Sequence, residues 1–531
     1  MDGELFADLH FPAAGVDVSA AFCQQPNRPV TQDNLWARTA RVGSNVRGYE
    51  GLNRCRGGSR PGLSRYLASP VVADWVIQQL DLIVWMGGAV VQTSQSGRIV
   101  TLVAVSQGNV YSVAAGGTAW VQATNNTGNS PPLNFTGIMQ SAALNQKLWF
   151  ADGVNWVYYD PSDNSVNTWA ATAGSLPVDA SNNTPRLICA WRGRLALSGL
   201  IEDPQNIFFP AVGDPTDFDY SPASTTPTQA FALSTGPTGV VGDVITGLIA
   251  YTDDMMVVGA DHSIWMLRGD PLYGGQLDLV SDAIGMAWGQ AWAKDPYGVI
   301  YFVANRMGIF SLIPGQQPVR ISQAIESLLL DIDTGETTFR LVWSDRFQGL
   351  HVFATTTAAP ASDTHFFWEQ RTGAWWTDSY GDENFNPLTC VTFDGNLPED
   401  RVPLIGSWDG YVRAIDQDAT TDDLQPISSS VVIGPLLTQN LDMMLVKDLQ
   451  AVLGEDSGDV TYAVYLGTSA EIALQGSPVA TGTWRAGRNL TSPIRRSAHA
   501  LYVKLTSTNP WVMEQIRARI ATKGKVARRG H

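Results

Sequence analysis

The chain has 531 residues and a formal net charge of −16, with 16% of residues charged, 10% aromatic and 50 glycines. Ordinary soluble domains are roughly 25% charged, so few charges with many aromatics exclude a disordered chain, and the composition is not that of a coiled coil. What remains is a large β-rich protein with many turns, whose acidic bulk surface is ill-suited to neutralising phosphates.

Residues 1–27 hold four acids and no Lys or Arg. The start, Met1-Asp2-Gly3-Glu4, is acidic and no apolar run follows, so no signal peptide is expected. No stretch approaches the ~18 consecutive apolar residues of a membrane helix. Cys23, Cys55, Cys189 and Cys390 are far apart, without CxxC or zinc spacing, which suggests a reducing compartment and buried apolar cysteines. These features predict a protein made in the cytosol.

Residues 28–65 hold eight arginines (Arg28, Arg38, Arg41, Arg47, Arg54, Arg56, Arg60, Arg65) against Asp33 and Glu50. With little apolar periodicity, residues 1–70 read as an extended N-terminal arm whose order depends on a neighbour. The arm's arginines are expected to dock onto the acidic body of a second copy, so removing residues 1–65 should leave a folded monomer that no longer assembles. The arginines singled out for contacts with another subunit or an adaptor are Arg38, Arg41, Arg47, Arg54, Arg56, Arg60 and Arg65.

From residue 71 to 425 one pattern recurs: an apolar strand, a Gly/Asn/Asp turn, and a second strand with an aromatic or β-branched residue. The clearest copies are 148–158, 255–265, 300–310 and 404–412, with weaker ones at 102–113, 193–209 and 350–368. The second-strand markers Tyr111, Trp156, Ile207, Trp265, Phe310, Phe367 and Tyr411 are separated by about 44–58 residues, close to the period of a four-stranded propeller blade. Stacked blades bury apolar faces that lone hairpins expose. The expectation is a β-propeller of six to eight blades. Ser322 is a candidate N-cap for a short connector helix ending near Leu330. The loop 355–364, rich in Ala, Thr and Pro, is expected to be a hairpin tip. After Asp423 short strands at 430–437, 444–453, 460–467, 480–484, 499–506 and 511–520 predict a β-sandwich over 426–521. A basic tail, 522–531, follows.

No catalytic constellation emerges. HExxH, GxSxG and a P-loop are all absent. His351 and His365 read as satisfied histidines on two strands of one hairpin. Asp253-Asp254 and the group Asp416, Asp418, Asp422 and Asp423 read as turn aspartates. Trp408-Asp409 lacks the Gly-His that a WD40 blade requires. No cofactor, metal or catalytic residue is expected.

Asn53-Arg54-Cys55-Arg56-Gly57-Gly58-Ser59-Arg60-Pro61-Gly62-Leu63 resembles the arginine-rich stretch near the N-terminus of bacteriophage tail nozzle proteins, the tail tubular B or packaged-DNA stabilisation family of short-tailed phages. Gly193-Arg194-Leu195, Asp203 to Phe209, and Gly213-Asp214-Pro215-Thr216-Asp217-Phe218 are similar to that family's blade segments, as are Ile264 to Asp270 and Thr372 to Trp376. The resemblance covers most of 36–415 in scattered pieces. It implies a structural virion subunit of a hexameric ring, attached through an adaptor to the portal and touching tail fibre or needle proteins. The ring would retain packaged double-stranded DNA and pass it on ejection, without catalysis. An acidic lumen would avoid trapping phosphates. A glycan-binding or glycan-hydrolysing propeller and a cytosolic propeller scaffold are the alternative readings.

Overall fold

The computed structural model describes residues 4–9, 11–12, 14–18, 43–48, 57–72, 83–92, 97–133, 139–177, 184–223, 225–234, 242–305, 308–395, 401–437 and 443–523. Among these residues, seven four-stranded antiparallel units follow one another, spanning 83–122, 140–168, 187–234, 245–281, 292–320, 337–378 and 387–416. The seventh takes only three strands from its own stretch. Its fourth is Gly62–Arg65, paired antiparallel with Val412–Asp416 so that Leu63 faces Ile415.

Each unit is packed against the next. Trp85 and Phe150 join the first to the second, Trp149 and Leu197 the second to the third, and Ile207 and Leu248 the third to the fourth. Val257 and Phe302 join the fourth to the fifth, Tyr301 and Trp343 the fifth to the sixth, and Phe353 and Ile405 the sixth to the seventh. Leu404 and Phe393 then meet Ile83 and Leu102 of the first unit, which closes the circle. The architecture is an all-β propeller, and most of the chain's aromatics lie in its packing. Burying each such side chain contributes about 1.5–3 kcal/mol.

The sequence rhythm has a structural origin. Tyr111, Ile207, Trp265, Phe310 and Phe367 lie in the third strand of their units, and Trp156 and Tyr411 immediately precede theirs. The third strand recurs once in every unit, and the connection before it varies from two residues, 107–108, to eight, 357–364, which contributes to the spread of the interval.

The C-terminal region is a two-layer sandwich. One layer holds Ser429–Leu437, Ala500–Ser507, Val460–Gly467 and Ala480–Trp484. The other holds Met513–Lys523, Met443–Leu453 and Gly487–Ala498, with Glu4–Leu9 from the start of the chain added at one edge. Met444, Leu449, Trp484, Leu501, Val503, Trp511 and Ile516 fill the space between the layers. Two elements were not anticipated. Gly487–Ala498 has no apolar alternation because it is an edge strand exposed along most of its length. The helix Ala470–Gln475 is one and a half turns long, capped by the Ser469 hydroxyl, which accepts from the Ile472 amide at 3.2 Å.

The N-terminal stretch is extended, as expected, but its described parts are woven through both domains rather than held for a neighbour. Glu4–Leu9 belongs to the sandwich and Gly62–Arg65 to the propeller. Between them, Ser44 pairs in parallel with Thr377 of the sixth unit, while Gly43 and Ser44 pair antiparallel with Val431 and Ser430. One nine-stranded sheet therefore runs from the sixth propeller unit into the sandwich.

Two local expectations need correction. The connector exists as a 3-10 turn, Gln323–Ile325, leading into Glu326–Leu330, but Ser322 does not cap it. Its buried hydroxyl instead accepts from the Ile309 amide at 2.9 Å, tying the connector to the fifth unit. The loop 357–364 is not a loose tip. Asp363 accepts from the Thr356 amide and hydroxyl at 3.0 and 2.8 Å, and Asn386 donates to the Ala361 carbonyl at 2.5 Å.

Candidate functional site

The densest charged cluster among the described residues lies where the N-terminal stretch, the last two propeller units and the sandwich meet. Arg47, on the two-residue strand Val46–Arg47, makes a bidentate pair with Asp378 at 2.7 and 2.7 Å. Its guanidinium also lies 4.2 Å from the centre of the Phe367 ring. Arg60 makes a second bidentate pair with Asp422, at 2.8 and 2.6 Å, and donates to the Asn45 side-chain oxygen at 2.9 Å and the Ser379 carbonyl at 3.0 Å. Arg65 pairs with Asp423 at 2.7 Å and covers the Tyr411 ring. Arg413 joins Asp409 to Asp423, at 2.6 and 2.8 Å, with its guanidinium 3.9 Å from the Phe385 ring centre. Planar guanidinium forks suit such carboxylate and ring contacts better than a lysine would.

Asn45 organises the middle of this cluster. Its backbone is left-handed, with φ of 55°, a conformation asparagine tolerates. Its side-chain oxygen accepts from Arg60 and from the Ser379 amide, and its nitrogen donates to the Ser428 carbonyl at 2.7 Å. One side chain thus ties the N-terminal stretch to the sixth unit and to the sandwich.

Burial and charge compete at Asp378, Asp423 and Arg60. Burial alone would raise the Asp378 carboxyl, but Arg47 and then Arg60 overcome it and hold it below the ordinary carboxylate value. Asp423 is likewise held low by Arg65 and Arg413 against the effect of burial. Burial disfavours the Arg60 cation, yet Asp422 raises its pKa further above the usual arginine value. His351 lies beside the cluster, stacked on Phe353 and tilted against Phe367. Burial, reinforced by the Arg47 charge, pushes it down to about 3, so it is neutral. His365 is also depressed by burial, although its hydrogen bond to Asn386 at 3.0 Å opposes this.

These placements alter the sequence reading of the arginines. Arg38, Arg41, Arg54 and Arg56 lie outside the described residues. Arg47, Arg60 and Arg65 each pair with a carboxylate of their own chain, and Arg47 and Arg60 are buried. Those three guanidiniums are committed within the molecule. Asp422 and Asp423 are not bland turn residues: Asp422 is fully buried and both complete the arginine pairs. His351 and His365 do lie on paired strands, as expected.

The arrangement clamps chain segments together; it presents no nucleophile or acid–base pair to solvent. Cys189 and Cys390 are free, and burial pushes both thiols up to about 12, which leaves them unreactive. Elsewhere, Asp243, Asp261 and His262 bring three possible ligand atoms within 4.8 Å of one another. No local motif marks this trio, because Asp243 arrives from the connection before Ile245–Thr252 while Asp261 and His262 lie in a later turn. His262 Nδ1 lies 3.0 Å from Asp261 and 3.5 Å from Asp243, and Asp243 also accepts from the His262 amide at 2.9 Å and the Ser263 hydroxyl at 2.6 Å, so contacts within the chain account for the cluster.

No family model matches the chain, and no curated protein matches it. Similar solved structures include the extracellular domain of a hybrid two-component system from B. thetaiotaomicron, at 12% identity and a TM-score of 0.43. That match covers 87% of this chain but 60% of the other, so the chain spans well under two thirds of that protein's length. Virginiamycin B lyase from Staphylococcus aureus is similar over 62% of this chain and 94% of its own, at 10% identity and a TM-score of 0.38. These likenesses carry no argument about activity. No helix among the described residues is long and apolar enough to cross a membrane.

Proposed function

We propose that this chain is a structural subunit of a short-tailed phage nozzle, a ring that retains packaged DNA and conducts it on ejection. The observation that carries the reading is what the described part of the resembling stretch, Gly57 to Gly62, does. A Cβ on Gly58 would lie 2.1 Å from the Trp511 carbonyl oxygen of the sandwich, and one on Gly62 would lie 2.1 Å from the Thr421 carbonyl oxygen beside the last propeller unit. Between these glycines, Arg60 is locked to Asp422. The family-like residues are thus the ones that fasten propeller to sandwich, a role suited to a part that must stay rigid while DNA moves past it.

Charge supports the same reading. Residues 66–425 carry 37 acids against 14 bases, a net −23. A wall of that sign repels the phosphate backbone and offers it no trapping sites. Catalysis forms no part of the proposal. Negative-stain images of the purified protein, or of the particle containing it, should show six-fold rings with a central channel. Single propellers at every concentration, or a channel lined continuously by Arg and Lys, would overturn it.

A further inference from the structure

We propose that the arginine-bearing edge of the sandwich is a docking surface for the acidic propeller of a second copy of this chain. Residues 485–498 contain four arginines and no Asp or Glu. The strand Gly487–Ala498 ends its sheet, paired only with Met443–Leu453, so its other side is open. Arg488, Arg495 and Arg496 are exposed on it, as is Leu490 at 55%. Charges on an edge strand commonly serve to prevent strand addition, and Pro493 fits that role here. Protection alone, however, needs no particular sign.

The sign is what points to an occupant. Residues 426–521 carry 8 bases against 7 acids, and four of those bases are the arginines of 485–498, whereas residues 66–425 are at −23. The edge is a local cationic patch that complements the acidic propeller of the same chain. Among the described residues, Arg47, Arg60 and Arg65 of the N-terminal stretch are paired with carboxylates inside the molecule, while Arg488, Arg495 and Arg496 are exposed on this edge.

The topology also supplies an acidic counterpart. In each unit the turn between second and third strands lies at the same end of the propeller as the connection to the next unit. Exposed Asp282, Asp331, Asp333, Glu336 and Glu383 all lie on such connections. Glu336 and Thr337 stand between two clefts of about 280 and 400 Å³, the larger lined also by Asp331, Asp333 and Asp363. These hollows would receive arginine side chains.

The sandwich edge and the propeller end are different surfaces, so the contact is head-to-tail. Such contacts close into rings or continue as open filaments. The inference rests on the proposed nozzle reading only for closure into a ring.

The test uses the full chain, with assembly followed by sedimentation velocity and mass photometry at about 100 mM salt. The variant R488E/R495E/R496E should associate at least tenfold more weakly than the wild type, as should D331K/D333K/E336K. Mixing the two variants should restore mixed assemblies, which also excludes misfolding as the cause. If R488E/R495E/R496E still forms wild-type rings, this inference fails and the nozzle reading stands. If the wild type forms filaments that the variant cannot form, the inference stands and the ring reading fails. A wild type that stays monomeric overturns both. Binding of a 30-base-pair duplex lost in the variant, with assembly unchanged, would make the edge a nucleic-acid surface and overturn the proposal.

Discussion

Arg60 and Asp422 are both removed from water, so each depends on the other for its charge. Truncating one partner of such a pair leaves an uncompensated buried ion and typically costs about 3–5 kcal/mol, whereas replacing both with apolar residues costs far less. R60A should therefore lower the unfolding free energy by an amount in that range, read as a lower denaturant midpoint at an unchanged m-value, and R60M/D422L should recover most of it. An R60A midpoint equal to the wild type would mean the pair is not essential to the joint. The neighbouring His351 makes stability depend on pH. Its folded value of about 3 lies below the unfolded value of about 6.5. Between these values the unfolded chain holds a proton that the native chain does not. The stabilisation is complete above about pH 6.5 and is lost as pH falls through the window, by up to about 1.4 kcal/mol per pH unit. His365 is shifted in the same direction and adds to the loss. Asp378 adds its own loss as pH falls through the ordinary carboxylate value toward its lower folded one. Nε2 of His351 makes no hydrogen bond among the described residues, and phenylalanine should fit against Phe353 and Phe367. H351F should flatten the dependence between pH 6.5 and 4 by about half; an unchanged slope in urea titrations would assign it elsewhere. At this scale the sequence disclosed Arg47, Arg60 and Arg65 but not their partners. Arg60 and Asp422 are 362 positions apart, and no local pattern links them.

The hairpins were legible as elements because they carry their own instructions: apolar runs at strand length, broken by residues that accept a turn. The strands that were missed take their identity from a partner. Gly62–Arg65 has a single apolar residue, Leu63, and becomes a strand by filling the gap between Val412–Asp416 and Thr421–Asp422. Gly487–Ala498 is held by Met443–Leu453 and needs no apolar face of its own. Strand preference is largely a matter of such surroundings. This revises the outcome expected from removing residues 1–65. The deletion strips the fourth strand from the seventh unit, takes Glu4–Leu9 from the sandwich, and leaves Asp378 and Asp422 buried without their arginines. It should yield an aggregated chain with no cooperative unfolding transition, rather than a folded monomer. L63P offers a milder form of the same test, because proline inside a strand flanked on both sides removes a ladder hydrogen bond. Its expected cost is about 3 kcal/mol, seen as faster proteolysis within residues 387–426. A truncated chain with a sharp thermal transition and a native near-ultraviolet spectrum would show that the propeller closes without this strand.

Across the whole molecule, propeller and sandwich share a sheet, a buried ion-pair cluster and a threaded N-terminal stretch. Domains joined only by a linker unfold separately, and their calorimetric traces show separate transitions. Here the seventh propeller unit cannot be complete without Gly62–Arg65, and that strand is continuous with Gly58–Ser59, whose Ser59 amide donates to the Trp511 carbonyl at 3.0 Å. Loss of the sandwich therefore removes the anchor of the last propeller strand, and loss of the sixth unit removes Thr377, the other partner of the Ser44 that pairs with Ser430 at the edge of the sandwich sheet. Two-state behaviour is unusual for a chain of this length, but coupling of this kind favours it for the two domains together. Scanning calorimetry of the assembled protein's dissociated subunit should show one endotherm covering both domains. Removing the clamp with R47A/R60A should split it in two, with the sandwich transition set by the core around Trp484 and Trp511 and the propeller transition broadened by its open seventh unit. A wild-type trace already resolved into two transitions would show that the joint aligns the domains without coupling their stability. In the proposed ring, rigidity would then have to come from contacts between subunits.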